Sequence, residues 1–277
     1  MKSNPKKRVD AAPKTIISIT GNDPNMRMDA WWWLVAAVVV VTFLLVVFQP
    51  DPYQRILIYV LDGIGLTIGV TVISFILTLI AGMIGGLGRL SKNRIISGAA
   101  SLYVELIRGI PLLVQLMWWY FAFPAIIRDT GKALNIGFMA NYLPDGTIMA
   151  IIGLVICYAA YMSEIYRAGI QSIPKGQMEA ARSLGMTYVQ AMRYVILPQA
   201  IRVILPPVGN EFVALLKDSS LVSAVALADL SRRGREFASN QALPIQTWMM
   251  VALLYLILTL VSARIVGWIE RKTKFER

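Results

Sequence analysis

Histidine is absent from the 277 residues, and cysteine occurs once, as Cys157. The first absence removes the commonest general base and the commonest metal ligand, so no metal site is expected. The second excludes an intrachain disulfide. The lone thiol sits in an apolar run, where such a group ordinarily behaves as a small hydrophobe. Charge is scarce as well: 16% of the residues are charged, against roughly 25% in soluble domains. No stretch reads G-x-x-x-x-G-K-[ST], the loop that cradles nucleotide phosphates. The run from Gly82 through Gly85 and Gly86 to Gly88 has neither the lysine nor the hydroxyl, and at the end of an apolar segment it favours close helix packing. A thiol enzyme, a metal site and intrinsic ATPase chemistry thus have no support in the sequence.

Apolar side chains are plentiful, at 57% of the chain. From Trp31 to Phe48 there is no charge and one hydroxyl, Thr42. About 18 such residues suffice to cross a bilayer as helix. Further runs cover residues 63–87, 98–123, 148–166, 199–216 and 247–268, which makes six candidate spans. The third and fifth carry charges and prolines, so they are not plain lipid-facing anchors. Residues 1–30 form a basic tail with Lys2, Lys6, Lys7, Arg8, Lys14 and Arg27. A cleaved signal peptide is the competing reading; the basic region is too long for one, and no small-x-small site precedes Gln49.

The net charge of +11 raises the question of nucleic acid, but most basic residues flank apolar runs, as membrane anchors do. Their alternation predicts an inner-membrane protein with both termini in the cytoplasm. One segment breaks the rule. Residues 217–244 should be external, yet they hold Lys217, Arg232, Arg233 and Arg235. A re-entrant or protein-covered segment would account for it.

The most informative stretch runs from Pro174 to Thr187, between the fourth and fifth spans. Residues 177–184 are good helix formers. Gly185 suits a left-handed stop, and Thr187 with Gln190 makes a capping box for a second helix, which is expected to run to Leu197-Pro198, where proline interrupts it. Ala180 and Ala181 are small enough for another protein's groove to approach, and Glu179 offers it a charge. The alternative is a solvated helix with Glu179 paired to Arg182.

Glu179-Ala180-Ala181, Gly185 and Val195-Ile196-Leu197-Pro198 resemble the EAA motif of ABC importer permeases, with Val195 where the family usually has isoleucine. Val104 to Gln115, Ser163 to Gly169 and Asn210 to Leu221 resemble the polar amino acid subgroup. The resemblance covers roughly residues 56–272. It implies an all-α polytopic membrane protein: a five-helix permease core over 56–272, preceded by one extra transmembrane helix at 31–48. It further implies a cytoplasmic coupling loop at about 167–197, through which Glu179, Ala180, Ala181 and Gly185 contact an ATP-binding cassette ATPase dimer. ATP and Mg would be bound by that partner, with no cofactor in this chain. A second permease subunit, identical or homologous, and a soluble substrate-binding protein complete the implied assembly.

Polar residues at membrane depth are functional candidates by default. For an amino acid substrate, Glu164 or Glu211 would serve the ammonium or a cationic side chain, while Thr67, Gln115 and Asn210 would bond its carboxylate or polar atoms. Interhelical bonding is the alternative for each. Glu105 and Arg108, three apart on one face, are expected to pair as a brace, and Lys217 with Asp218 to form a gate or contact the binding protein. A membrane-embedded enzyme lacks the residues for its chemistry, and a stand-alone channel leaves the EAA-like loop without a purpose.

Overall fold

The structure, a computed structural model, describes residues 30–225 and 227–273. The basic tail before Ala30 and the terminal residues 274–277 lie outside them. Among the described residues every regular element is a helix. In chain order the helices are α1 (Ala30–Phe48), α2 (Pro50–Arg89), α3 (Arg94–Gly109), α4 (Leu112–Met117), α5 (Phe123–Ala133) and α6 (Gly137–Ala140), then α7 (Gly146–Gln171), α8 (Lys175–Ser183), α9 (Tyr188–Ala191), α10 (Leu197–Asp218), α11 (Leu230–Gln241) and α12 (Pro244–Thr273). Helices suit this composition because each satisfies its own backbone away from water.

Four of them are long and apolar enough to cross a membrane: α1, α2, α7 and α12. The bent pair of α3 with α4–α5 is a candidate fifth. With 40 residues α2 is the longest, although Asp51 near its start leaves the helical region at φ −102°, ψ 111°; the continuous part beyond it is about 57 Å at 1.5 Å per residue. Helix α10 has 22 residues but carries Arg202, Glu211, Lys217 and Asp218, a load suited to a protein-lined interior rather than to lipid.

The third expected span is not one helix. It bends by 104° between α3 and α4. Pro111 explains the break, since the residue before a proline is pushed out of the helical region, and Ile110 is extended at φ −107°, ψ 131°. The expected stop at Leu197-Pro198 does not occur either. A π-helical turn over Met192–Ile196 carries the chain from α9 into α10. A second π turn, Trp118–Ala122, precedes Phe123-Pro124 in the same way. Each widened turn lies just ahead of a proline that brings no N–H to the ladder.

The bundle is built around α2 and α7. The glycine run of α2 meets α7 so closely that a Cβ on Gly86 would stand 2.9 Å from Tyr166 Cβ and 3.1 Å from the Ser163 carbonyl oxygen. Ser163 Oγ donates to the Gly82 carbonyl at 3.2 Å. The run is a packing seam, as its lack of lysine and hydroxyl predicts. The main core joins Val70, Leu116, Leu154, Leu215 and Val222 from α2, α4, α7, α10 and the following 3-10 turn.

The basic segment 217–244 folds onto its own protein. Asp229, fully buried, caps α11 by accepting from the backbone N–H of Ser231 and Arg232 at 3.1 and 2.9 Å. Leu230 and Phe237 pack into a core with Ile56, Val60 and Met250. Two of its four cations are matched: Arg233 pairs with Asp62 at 2.6 Å, and Arg232 with Glu236 at 2.8 Å. The protein-covered part of the segment is α11, while Lys217 and Arg235 are exposed and keep the departure from the charge rule.

Candidate functional site

Helices α2, α7 and α12 run out, and α3 and α10 set in, at the end of the bundle that carries α8 and α9, called here the α8 end. The α8 loop is built as its residues dictate. Thr187 Oγ1 accepts from Gln190 N–H, and Gln190 Oε1 accepts from Thr187 N–H at 2.8 Å, which closes the capping box. Gly185 has φ +84°. Its N–H donates to the Arg182 carbonyl at 3.0 Å, and that of Met186 to Ala181 at 3.2 Å, the paired bonds of a left-handed helix stop. Glu179 and Ala180 face outward, with Leu184 at 82% and Val189 at 71% exposure beside them. Ala181 does not share that surface. It is buried, because α8 folds back on α9 and the π turn, so it is a packing residue of its own chain. No ion pair joins Glu179 to Arg182 among the described residues.

The five polar residues considered as substrate ligands do not converge on one point. Thr67 is fully buried. Its hydroxyl donates to the Gly63 carbonyl at 2.9 Å and accepts the Leu230 N–H at 3.1 Å. Gln115 is buried at the α3–α4 break, where Nε2 donates to the carbonyls of Ile107 and Ile110 at 2.8 Å each. Both of its donor hydrogens are thereby used within the chain, while Oε1 has no partner. Asn210 lines a cleft between α10 and α12 with Lys217 and Glu270. Glu164 is held by Arg89 from α2 and by Arg167, whose Nε lies 2.9 Å away.

Glu211 faces a different space. A cavity of about 250 Å³ is lined by Leu112, Tyr158, Tyr161, Glu211, Ala214 and Asp218, with Cys157 beside them. Two carboxylates share it, and its lining includes no lysine or arginine. Tyr158 donates its phenol to Asp218 at 2.7 Å. The expected Lys217–Asp218 pair is absent among the described residues: consecutive side chains on a helix diverge, and the carboxylate turns to Tyr158 instead. The Glu105–Arg108 pair is likewise not made. Arg108 lies over the Tyr161 ring, 5.3 Å from its centroid, and lines with Arg89, Glu105, Gly109, Tyr161 and Glu164 a second cavity of about 480 Å³ toward the α8 end.

Sequence reasoning passed over Tyr158, Tyr161 and Arg89. Two tyrosines three residues apart within an otherwise apolar span were the available signal, since a buried phenol seeks a polar partner. Arg89 gave none, because its partner stands 75 residues away.

The family model of the binding-protein-dependent transport system inner membrane component matches residues 78–275. The chain is 38% identical over 216 residues to the arginine transport system permease protein ArgU of Corynebacterium glutamicum, covering 76% of this chain and 66% of that one. It is 35% identical to the glutamine transport system permease protein GlnP of Escherichia coli, covering 77% and 92%. A solved structure titled as an amino acid ABC transporter with histidines superposes with a TM-score of 0.68 at 35% identity, over 81% of this chain and 97% of that one. Helix α1 and the tail fall outside the family match. The helical bundle, the α8 loop and these likenesses agree: the chain belongs to the binding-protein-dependent transport system inner membrane component family, and it is a membrane-spanning permease subunit of an ABC importer.

Proposed function

We propose that this subunit conducts a polar amino acid, cationic or neutral, across the inner membrane, and that the cavity of Glu211 and Asp218 receives its ammonium or cationic group. The carrying observation is a pair of carboxylates facing one cavity whose lining holds no cation. Its volume falls just below the usual range of ligand cavities, roughly 300–1,000 Å³, as suits a site for one small group. The printed names of relatives, which include arginine, glutamine and L-cystine permeases, support the substrate class. Glu164, taken up by two arginines, serves in this reading as a brace.

The outward face of α8, with Glu179, Ala180 and the exposed Leu184, docks a separate ATPase that binds ATP and Mg. Two permease subunits and a soluble binding protein complete the assembly. Both termini lie on the cytoplasmic side with α8. The family model and the likeness to other ABC importer subunits support this assembly.

The test is uptake into proteoliposomes holding the whole complex. Glu211→Gln lowers uptake of a cationic amino acid about tenfold or more, in line with the roughly 1.5–3 kcal/mol of a charge-assisted hydrogen bond, and lowers that of a neutral one less. Wild-type rate and selectivity in this variant would move the site elsewhere.

A further inference from the structure

The two cavities share a wall. Tyr161 lines both, and Arg108 covers its ring from the side of the larger one. Arg108 also stands close enough to interact electrostatically with Glu164 on one side and Glu211 on the other. The α3–α4 break passes along the same wall, with Gly109 lining the larger cavity and Leu112 the smaller.

Within the larger cavity Glu164 is occupied by Arg89 and Arg167. One carboxylate and one guanidinium are then left without an ion pair among the described residues, Glu105 and Arg108. They are exposed and one turn apart on α3. Ionisable groups turned to hydrocarbon are expensive, so this face of α3 looks onto water, protein or a polar ligand. An unpaired acid and an unpaired guanidinium on one helix face, about 5–6 Å apart at Cβ, complement a zwitterion. The guanidinium fork suits an α-carboxylate, and the glutamate suits an α-ammonium.

We infer that the cavity of Glu105 and Arg108 is a second amino acid station, on the α8 side of the acidic one, and that the Arg108–Tyr161 contact is the partition between them. The inference rests on the amino acid reading above. A carboxylate binds a guanidinium more strongly than an exposed aromatic face does. The carboxylate of an arriving substrate therefore draws Arg108 off Tyr161, and passage opens the partition.

The test places a cysteine at Gly109, where a Cβ meets nothing within 4 Å, in a Cys157→Ala background. Proteoliposomes holding the assembled transporter are labelled from the α8 side with a membrane-impermeant methanethiosulfonate. The probe is L-arginine or L-glutamine, whichever the complex is first shown to transport. At about ten times its Kd the probe slows labelling about tenfold by mass action. Glu105→Gln abolishes this protection, and Glu211→Gln preserves it, with labelling in the absence of probe unchanged in both. Should Glu105→Gln fail to assemble, Arg108→Lys, which loses the fork but keeps the charge, takes its place with the same expected loss. Transport without protection overturns the station, as does protection that Glu211→Gln abolishes or that survives the Glu105 or Arg108 change. A complex that transports neither probe sinks the substrate reading and this inference together.

Discussion

Thr67 accepts the backbone N–H of Leu230 at 3.1 Å, across 163 residues of sequence. This bond ties the middle of α2 to the first residue of α11, one step beyond the Asp229 cap. Thr67→Val removes the acceptor and strands a buried N–H, a loss of about 1–3 kcal/mol. Thermal unfolding of the purified complex reports it as a lowered Tm, and Thr67→Ser restores much of the difference. Unchanged Tm with altered substrate preference would return Thr67 to the list of ligands.

Gln115 holds the α3–α4 break in the same manner. Pro111 has no N–H to give to Ile107, and the side-chain amide donates there in its place. Gln115→Leu keeps the approximate size, takes the side-chain donor from both carbonyls and leaves Ile107 only the long 3.4 Å bond from the Ile110 N–H, a loss of about 1–3 kcal/mol in all. Gln115→Glu, an acceptor facing acceptors, destabilises further. Loss of substrate affinity with no change in Tm would show that the amide serves the substrate instead.

Gly185 separates conformation from contact. A Cβ there meets no atom within 4 Å, yet φ is +84°. An L side chain in the left-handed region costs roughly 1–2 kcal/mol, and a β-branched one more. Gly185→Val therefore disturbs the α8 loop and uncouples ATP hydrolysis from uptake, while Gly185→Ala does so less. The ratio of amino acid transported to ATP hydrolysed is the measurement. A normal ratio in the valine variant at normal expression would remove the loop from coupling.

Helix α1 packs on α2 and α12, and Arg264 lies over the Trp32 ring at 5.2 Å. Its other face, including Val40, Phe43 and Val47, is exposed, as suits a helix at the lipid edge. Deletion of residues 1–48 lowers yield or Tm more than turnover per complex. An intact truncated complex with changed substrate preference would contradict a peripheral role. A cysteine at Ser3 should label from the cytoplasmic side alone, and external labelling would reverse the topology.

The local features of the α8 loop could be read from the chain because each depends on neighbours in sequence. Thr187 and Gln190 satisfy each other three residues apart, and Gly185 supplies the one conformation its turn needs, whatever packs around it. The apolar runs are legible for a similar reason: a bilayer selects for length and polarity, and both are counted along the chain. Pro111 announced a disturbance in the third span, but its direction depends on what Gln115 can reach.

Partner choice is where sequence alone stopped. Glu105 and Arg108 have the spacing to pair, yet Tyr161 from α7 offers the guanidinium a face and the pair does not form. Asn210 and Glu211 are adjacent, but a helix turns about 100° per residue, so they open into different cavities. Whether Thr67 binds a ligand or a backbone N–H depended on where α11 returns, and whether Arg89 stands free depended on how closely glycines let α2 approach α7. Residue order sets which groups can bond and which segments must leave water. Only the packing of distant helices decides which of those groups meet, because the strength of a hydrogen bond or ion pair depends on distances in space.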